Sequence, residues 1–151
     1  MSVLSVEDRR AIEELLVEFA YRLDIGGGLT VHELFEPDGV YVIDGQAVSG
    51  QREIREGYEQ RAERGPRTAR HIFTTIRITM DGADRATVTS IMTLYAADGE
   101  PVHDAALPLV VGDFNDVCVR GSDGVWLFER RELTSLFRSG EPVRPPTTSK
   151  E

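Results

Sequence analysis

The stretch that decides the fold is Thr68-Ala69-Arg70-His71-Ile72-Phe73-Thr74-Thr75-Ile76-Arg77-Ile78. Its β-branched and aromatic residues favour an extended strand, which we predict over about 69–80. Period-two alternation places His71, Phe73 and Thr75 on one face of that strand. The sequence therefore predicts a strand that presents an imidazole, an aromatic ring and a hydroxyl to the same space.

An amphipathic helix precedes this strand at the start of the chain. Ser5 and Asp8 have the spacing of a capping box at its beginning, and the three glycines at 26–28 end it. Its apolar residues follow helical spacing and form one face: Ile12, Leu15, Leu16, Phe19, Ala20 and Leu23. The helix closes on Asp24, whose carboxylate we expect to lie beside His71.

The other elements point to an α+β fold. We predict a short helix capped by Thr30 that runs through Leu34 and Phe35, a turn at 37–39, a strand over 40–43 and a polar helix over 52–64. Strands follow near 85–97, 105–120 and 125–137, divided by Gly- and Asp-containing turns. Pro108 predicts that the strand over 105–120 starts late, bulges or lies at an edge. Helices followed by long antiparallel strands indicate one domain over 1–138, with a flexible polar tail over 139–151.

Composition excludes several classes of protein. The chain has 151 residues and a formal net charge of -9, which argues against nucleic acid and anionic membranes as partners. The N-terminus lacks a basic start and a long apolar run, so we expect neither a signal peptide nor a membrane span, and a cytoplasmic location. The single cysteine, Cys118, lies in a strand pattern and is best explained as a core residue.

No motif predicts a metal or a cofactor. The three histidines lack the spacing of a zinc site, and the glycines at 26–28 follow a helix and lack the dinucleotide-binding pattern. There is no phosphate loop. Asp116 with Arg130 or Arg131 is interpreted as a structural ion pair, and Trp126 and Phe128 as core residues.

Five motifs together resemble a known family. They occur in the expected order within about residues 5–137, and they are Phe19–Asp24, Leu34–Tyr41, Arg70-His71, Gly112–Asp116, and Gly124–Phe128 followed by Arg130-Arg131. On these residues the chain resembles a SnoaL-like protein of the nuclear transport factor two superfamily. The resemblance implies a cone-shaped α+β barrel, in which N-terminal helices pack on a strongly curved, mainly antiparallel sheet that encloses a pocket. It also implies pairing of two cones into a homodimer through the outer face of the sheet.

The superfamily includes scytalone dehydratase, steroid isomerases and polyketide cyclases, which implies acid–base chemistry on a small apolar cyclic or polyketide-like substrate. His71 would be the general acid and base, with Asp24 as its orienting partner. Tyr41 would polarise a substrate carbonyl as a neutral phenol. We expect the pocket wall to include Phe19, Tyr21, Phe73, Thr75, Met92, Leu107 and Leu109.

Two alternatives remain open on the same fold. One is a module that binds a small ligand or a partner subunit without chemistry. Some relatives carry a tyrosine where Phe19 stands and many carry an asparagine where Thr75 stands, and both departures favour that alternative. The other is an epoxide hydrolase, whose relatives use an Asp-Arg-Asp set around a water. His103 is a further candidate for an acid–base group at the pocket mouth.

Overall fold

The computed structural model describes residues 3–147. It contains two α-helices, a single 3₁₀ turn over Val31–Leu34, and six strands. The helices are α1 (Val6–Asp24) and α2 (Gln51–Ala62). The strands are β1 (Phe35–Ile43), β2 (Gln46–Ser49), β3 (Arg67–Met80), β4 (Arg85–Asp98), β5 (Val110–Arg120) and β6 (Trp126–Arg138).

The strands form one sheet in the order β2-β1-β6-β5-β4-β3. Neighbouring strands are antiparallel apart from β1 and β6, which run parallel. Helix α1 packs against β3 and β6, while α2 packs against β1 and β2. The predicted α+β class, with helices on a mainly antiparallel sheet, is confirmed; the sheet is open, with β2 and β3 at its edges. Within residues 3–147, neither helix is long and apolar enough to cross a membrane.

Helix α1 begins as its sequence predicts. The Asp8 backbone N–H donates to Ser5 Oγ over 3.0 Å, which satisfies one of the free donors of the first turn. The Asp8 carboxylate does not return to Ser5. It accepts instead from Arg120 at 2.8 Å and from the Trp126 indole at 3.2 Å. The Asp8 carboxylate thereby connects the start of α1 to the two ends of the turn between β5 and β6.

The segment after α1 differs from the prediction. Thr30 makes no side-chain capping bond, and the short helix is one 3₁₀ turn that ends at Leu34. Residues 37–39, predicted as a turn, belong to β1, where the pairing with β6 shifts register between Phe35 and Val40. The short strand β2 was not predicted, because four residues are too few to show a clear alternation of apolar and polar side chains. The late start after Pro108 is confirmed, since β5 begins at Val110.

The centre of the core holds a buried guanidinium group. Arg131 is 0% exposed, and its Nε and Nη2 donate to the two oxygens of Asp116 over 2.8 and 3.0 Å. Four rings surround its Cζ atom at 4.0–5.1 Å, from Phe19, Phe73, Phe114 and Phe128. The structural ion pair predicted for Asp116 is therefore formed with Arg131.

Burial removes the charges of Asp116 and Arg131 from water, and the attraction between them must offset that cost. Burial raises the pKa of the Asp116 carboxyl, and the Arg131 charge acts in the opposite direction. The negative faces of the surrounding rings also attract the guanidinium group. Trp126, Phe128 and Cys118 are buried around the same core, as their patterns predicted.

The segment after β6 lies against the body of the domain as far as residue 147. Ser139 donates through its N–H to the Leu109 carbonyl at 3.0 Å and through its hydroxyl to the Pro108 carbonyl at 2.8 Å. Val143 packs on the core, and Pro146 covers Gly57, where a Cβ would lie 2.6 Å from the proline backbone. The flexibility predicted for 139–151 stays a prediction, and residues 148–151 lie outside the described range.

We expect Asp116→Asn to destabilise the fold by about 3–5 kcal/mol, because the substitution leaves the Arg131 charge buried and uncompensated. Urea unfolding followed by circular dichroism measures the difference. The matched control is Glu132→Gln, since Glu132 pairs with Arg130 at 3.1 Å with both side chains more than one-third exposed. That control should cost less than about 1 kcal/mol. Equal losses in the two variants would contradict the central role of the buried pair.

Candidate functional site

A cavity of about 1020 Å³ lies between α2, the inner face of the sheet and the segment 141–147. The end of α1 closes one side of it. Apolar side chains line its interior: Leu23, Ile25, Ile43, Ala69, Leu94, Leu109 and Val143. Asp24, His71 and Tyr41 also line it, so the predicted catalytic residues share one cavity.

Asp24 binds His71 with both carboxylate oxygens. Its Oδ1 lies 2.6 Å from the imidazole Nδ1, and its Oδ2 accepts from the His71 backbone N–H over 2.8 Å. The Asp24 side chain is 7% exposed and that of His71 is 15% exposed. The last residue of α1 thus fixes both the ring and the backbone of His71.

The sheet topology explains why this backbone N–H is available. Strand β3 pairs only with β4, so some of its N–H groups point away from the sheet. A carboxylate oxygen accepts and cannot donate, so a neutral imidazole carries its proton on Nδ1. The second ring nitrogen, Nε2, is then left as an acceptor for a substrate proton.

Tyr41 lies in the cavity wall as a neutral phenol. It is 4% exposed, and the phenol of Tyr58 lies beside it. Burial raises the pKa of Tyr41 to about 12, although the Arg131 charge opposes the shift. Burial also raises the pKa of Tyr58, and the neighbouring Tyr41 adds to that rise. Both phenols therefore remain protonated at neutral pH.

Sequence reasoning missed Tyr58. The ring lies so close to Gly28 that a Cβ at that glycine would fall 2.4 Å from it, so the glycine leaves space for the ring. Tyr58 lies in α2, which is polar overall, so the residues on its inner face were not recognised from the sequence. Its signal is helical spacing of four residues, Ile54, Gly57, Tyr58 and Arg61, all on the side of α2 that faces the domain.

Most of the predicted wall residues lie elsewhere. Leu109 lines the cavity, whereas Phe19, Phe73 and Met92 belong to the core. Phe19 and Phe73 face the Arg131 guanidinium group. Tyr21 is 60% exposed, because two helical residues beyond Phe19 turn it to the opposite face. Leu107 is 77% exposed, since it precedes the start of β5.

Thr75 is displaced by a bulge in β3. It has a φ of +53°, and the pairing with β4 shifts between Thr74 and Arg77. The extra residue resets the alternation, so that Ile76 and Ile78 face the core and Thr75 is exposed. The predicted face of His71, Phe73 and Thr75 is therefore wrong at its third member.

The other histidines lie outside the cavity lining. His103 Nε2 is 3.0 Å from the Thr68 hydroxyl, which itself donates to the Gly99 carbonyl over 2.9 Å. His103 must then donate through Nε2, which gives it a structural bond beside the cavity. His32 lies in the 3₁₀ turn. Among residues 3–147, no three His, Cys, Asp or Glu side chains cluster closely enough to hold a metal ion.

Comparison with solved structures places the fold. A scytalone dehydratase candidate from Novosphingobium aromaticivorans superposes with a TM-score of 0.78 at 22% identity, covering 97% of each chain. A Mycobacterium tuberculosis protein of unknown function gives 0.76 at 23% identity, covering 87% of this chain and 78% of its own. ActVI-ORFA from Streptomyces coelicolor gives 0.72 at 20% identity, covering 88% and 99%. No curated protein matches the sequence.

The family model supplies the assignment that these distant structures leave open. The model of the SnoaL-like domain matches residues 4–132, from just before α1 to the middle of β6. The match includes Asp24, Tyr41, Tyr58 and His71. The chain therefore belongs to the SnoaL-like domain family.

Proposed function

We propose that the chain is a cofactor-independent acid–base enzyme, a dehydratase, isomerase or cyclase, for a small cyclic or polyketide-like substrate. The observation that carries this proposal is the two-oxygen contact of Asp24 with His71 in the wall of the cavity. The contact leaves Nε2 as the free base. The apolar side chains of the lining suit a ring, and its polar side chains suit orientation of that ring.

In this mechanism Nε2 removes a proton from a carbon next to a substrate carbonyl. The electron pair of that bond moves onto the carbonyl oxygen, and the enolate accepts a hydrogen bond from Tyr41. The imidazolium then returns its proton, either to a leaving hydroxyl, which departs as water, or to another carbon. Asp24 stabilises the imidazolium without itself taking the proton.

Tyr58 supports the role of Tyr41. When the Tyr58 hydroxyl donates to the Tyr41 oxygen, Tyr41 keeps its own O–H for the substrate. The same bond acts to lower the pKa of Tyr41 against the larger effect of burial. A phenol that donates while neutral is suited to stabilise a developing enolate.

A binding module without turnover is the second candidate. It is favoured by the positions of Phe19, which lies in the core, and Thr75, which lies outside the cavity, because neither can add a polar contact to a substrate. An epoxide hydrolase is less well supported. Its Asp-Arg-Asp set needs two aspartates, and among residues 3–147 Asp24 is the one aspartate that lines the cavity.

Proton exchange separates the first two candidates without knowledge of the natural substrate. We expect the wild-type chain to accelerate exchange of the α protons of 2-tetralone with D₂O, as followed by proton NMR. His71→Ala should slow the catalysed exchange at least about 100-fold, because it removes the base. Asp24→Asn should slow it less, because the ring loses its orienting partner and keeps Nε2.

His103→Ala is the matched control for that experiment, because it removes a hydrogen-bonded imidazole that lies outside the lining. It should exchange tetralone at the wild-type rate. Exchange that survives in His71→Ala would contradict the mechanism. Binding of tetralone by the wild-type chain with exchange no faster than in buffer would favour the binding module.

The raised pKa of Tyr41 predicts a loss of stability at high pH. The phenol ionises near pH 10 in the unfolded chain and at about 12 in the folded one, so its contribution is complete below pH 10 and is lost as the pH rises towards 12. Urea unfolding should show that Tyr41→Phe loses less stability over this range than the wild type, by at most about 3 kcal/mol. The exposed Tyr95→Phe is the control, and equal pH dependence in wild type and Tyr41→Phe would refute the assignment.

We also propose a homodimer through the outer face of the sheet. Register pairs form a continuous row across four strands, Ile72, Thr93, Val111 and Phe137. Phe137 is 72% exposed in the described chain. Phe137→Glu should convert a dimer into a monomer in sedimentation velocity, because two facing carboxylates would be buried unpaired. Val125→Glu, in the β5–β6 turn, should leave the dimer intact; a monomeric wild type would contradict the interface.

A further inference from the structure

Arginine is concentrated at the mouth of the cavity, although the whole chain has a formal net charge of -9. Arg61, Arg64 and Arg67 line it from α2, the loop after it and the first residue of β3, and Arg144 lines it from the segment after β6. The lining acids are Asp24, Glu100 and Glu141. Asp24 is committed to His71, so Glu100 and Glu141 are the remaining lining carboxylates beside Arg61, Arg64 and Arg67.

The carboxylate of Asp98 lies near two of these arginines. Arg61 Nη2 binds Asp98 over 3.0 Å, and Asp98 is also the residue opposite Arg67 in the β3–β4 register. The Asp98 side chain is 85% exposed, which weakens its hold on either guanidinium group. Within residues 3–147, Arg67 has no ion pair of its own.

The positive charge of Arg67 is only partly balanced, by the exposed carboxylate of Asp98. Burial lowers the pKa of its guanidinium group, and the like charge of Arg61 lowers it further. The group stays charged, because even a lowered arginine pKa lies far above neutrality. An anion placed between Arg61 and Arg67 would relieve both effects.

We infer that Arg67, with Arg61, binds a carboxylate group on the substrate, so that the ligand of this cavity is a cyclic acid. This inference rests on the proposed function for the ring-binding part of the cavity. A guanidinium fork matches a carboxylate through two parallel hydrogen bonds, which fixes orientation as well as affinity. The substrate is then held at one end by charge and presented to His71 at the other.

The strand sets the distance between the two ends. Arg67, Ala69 and His71 alternate along β3 and all line the cavity. Four residues of strand separate the Cα atoms of Arg67 and His71 by about 13 Å. Both side chains line the same cavity, so a ligand that contacts both must bridge this separation, as a bicyclic ring with a carboxymethyl group can. Ala69 lies between them, and its small side chain leaves space for the ring beside the cavity wall.

Isothermal titration with 2-naphthylacetate and the neutral 2-naphthylacetamide tests this inference at low salt. We expect the wild-type chain to bind the acid at least about tenfold more tightly than the amide, because charge-assisted bonds to a guanidinium group exceed neutral ones. Arg67→Gln should reduce that preference below about threefold, since one fork is lost. Arg70→Gln is the matched control, because Arg70 lies on the opposite, exposed face of β3 and bonds the Ala69 carbonyl. It should keep the wild-type preference.

Several outcomes would overturn the inference. They are equal binding of acid and amide, a preference that survives in Arg67→Gln, no binding of either compound, and displacement of naphthylacetate by an equal concentration of inorganic phosphate. The last would assign the arginines to a free oxyanion. The proposed function is judged separately by tetralone exchange: an acid preference without exchange supports the arginine site alone, and exchange without an acid preference refutes that site alone.

Discussion

The buried Arg131 charge is the constraint on which the rest of the core depends. A guanidinium group with no solvent contact must find its compensation inside the protein, and here it does so from Asp116 and from four phenylalanine rings. Those rings come from α1, β3, β5 and β6, so one charge fixes the position of the helix relative to three strands. Phe19 packs in this cluster and therefore does not line the cavity.

The position of α1 then determines the site. Once Phe19 is packed over Arg131, the helix has only one more turn before its end at Asp24, and that end meets the edge strand at His71. The contact between Asp24 and His71 is thus a consequence of where the core places the helix terminus. Arg131 also acts on the opposite wall, because its charge opposes the rise in the pKa of Tyr41. Core and cavity are linked through one side chain.

Periodicity in the sequence was sufficient for α1 and for the long strands, whereas the expected meeting of Asp24 with His71 also needed the family resemblance. It was insufficient wherever pairing or burial is set by distant residues. The bulge at Thr75 depends on the register with β4, which no local pattern records. The Arg130-Arg131 dipeptide has one exposed and one fully buried arginine, and composition cannot distinguish them. Tyr58 was hidden because α2 is polar on every face except the one that faces the domain.

The carboxylate of Asp24 has a second consequence at the edge of the sheet. Strand β3 is 14 residues long and, within residues 3–147, has no neighbouring strand on its outer side, which makes it a template for a strand from another molecule. By accepting the outward N–H of His71, Asp24 prevents an incoming strand from pairing with β3 at that residue. A variant that lost this aspartate would therefore free that N–H and weaken the protection of the edge against aggregation. One carboxylate thus both orients the imidazole and protects the edge of the sheet.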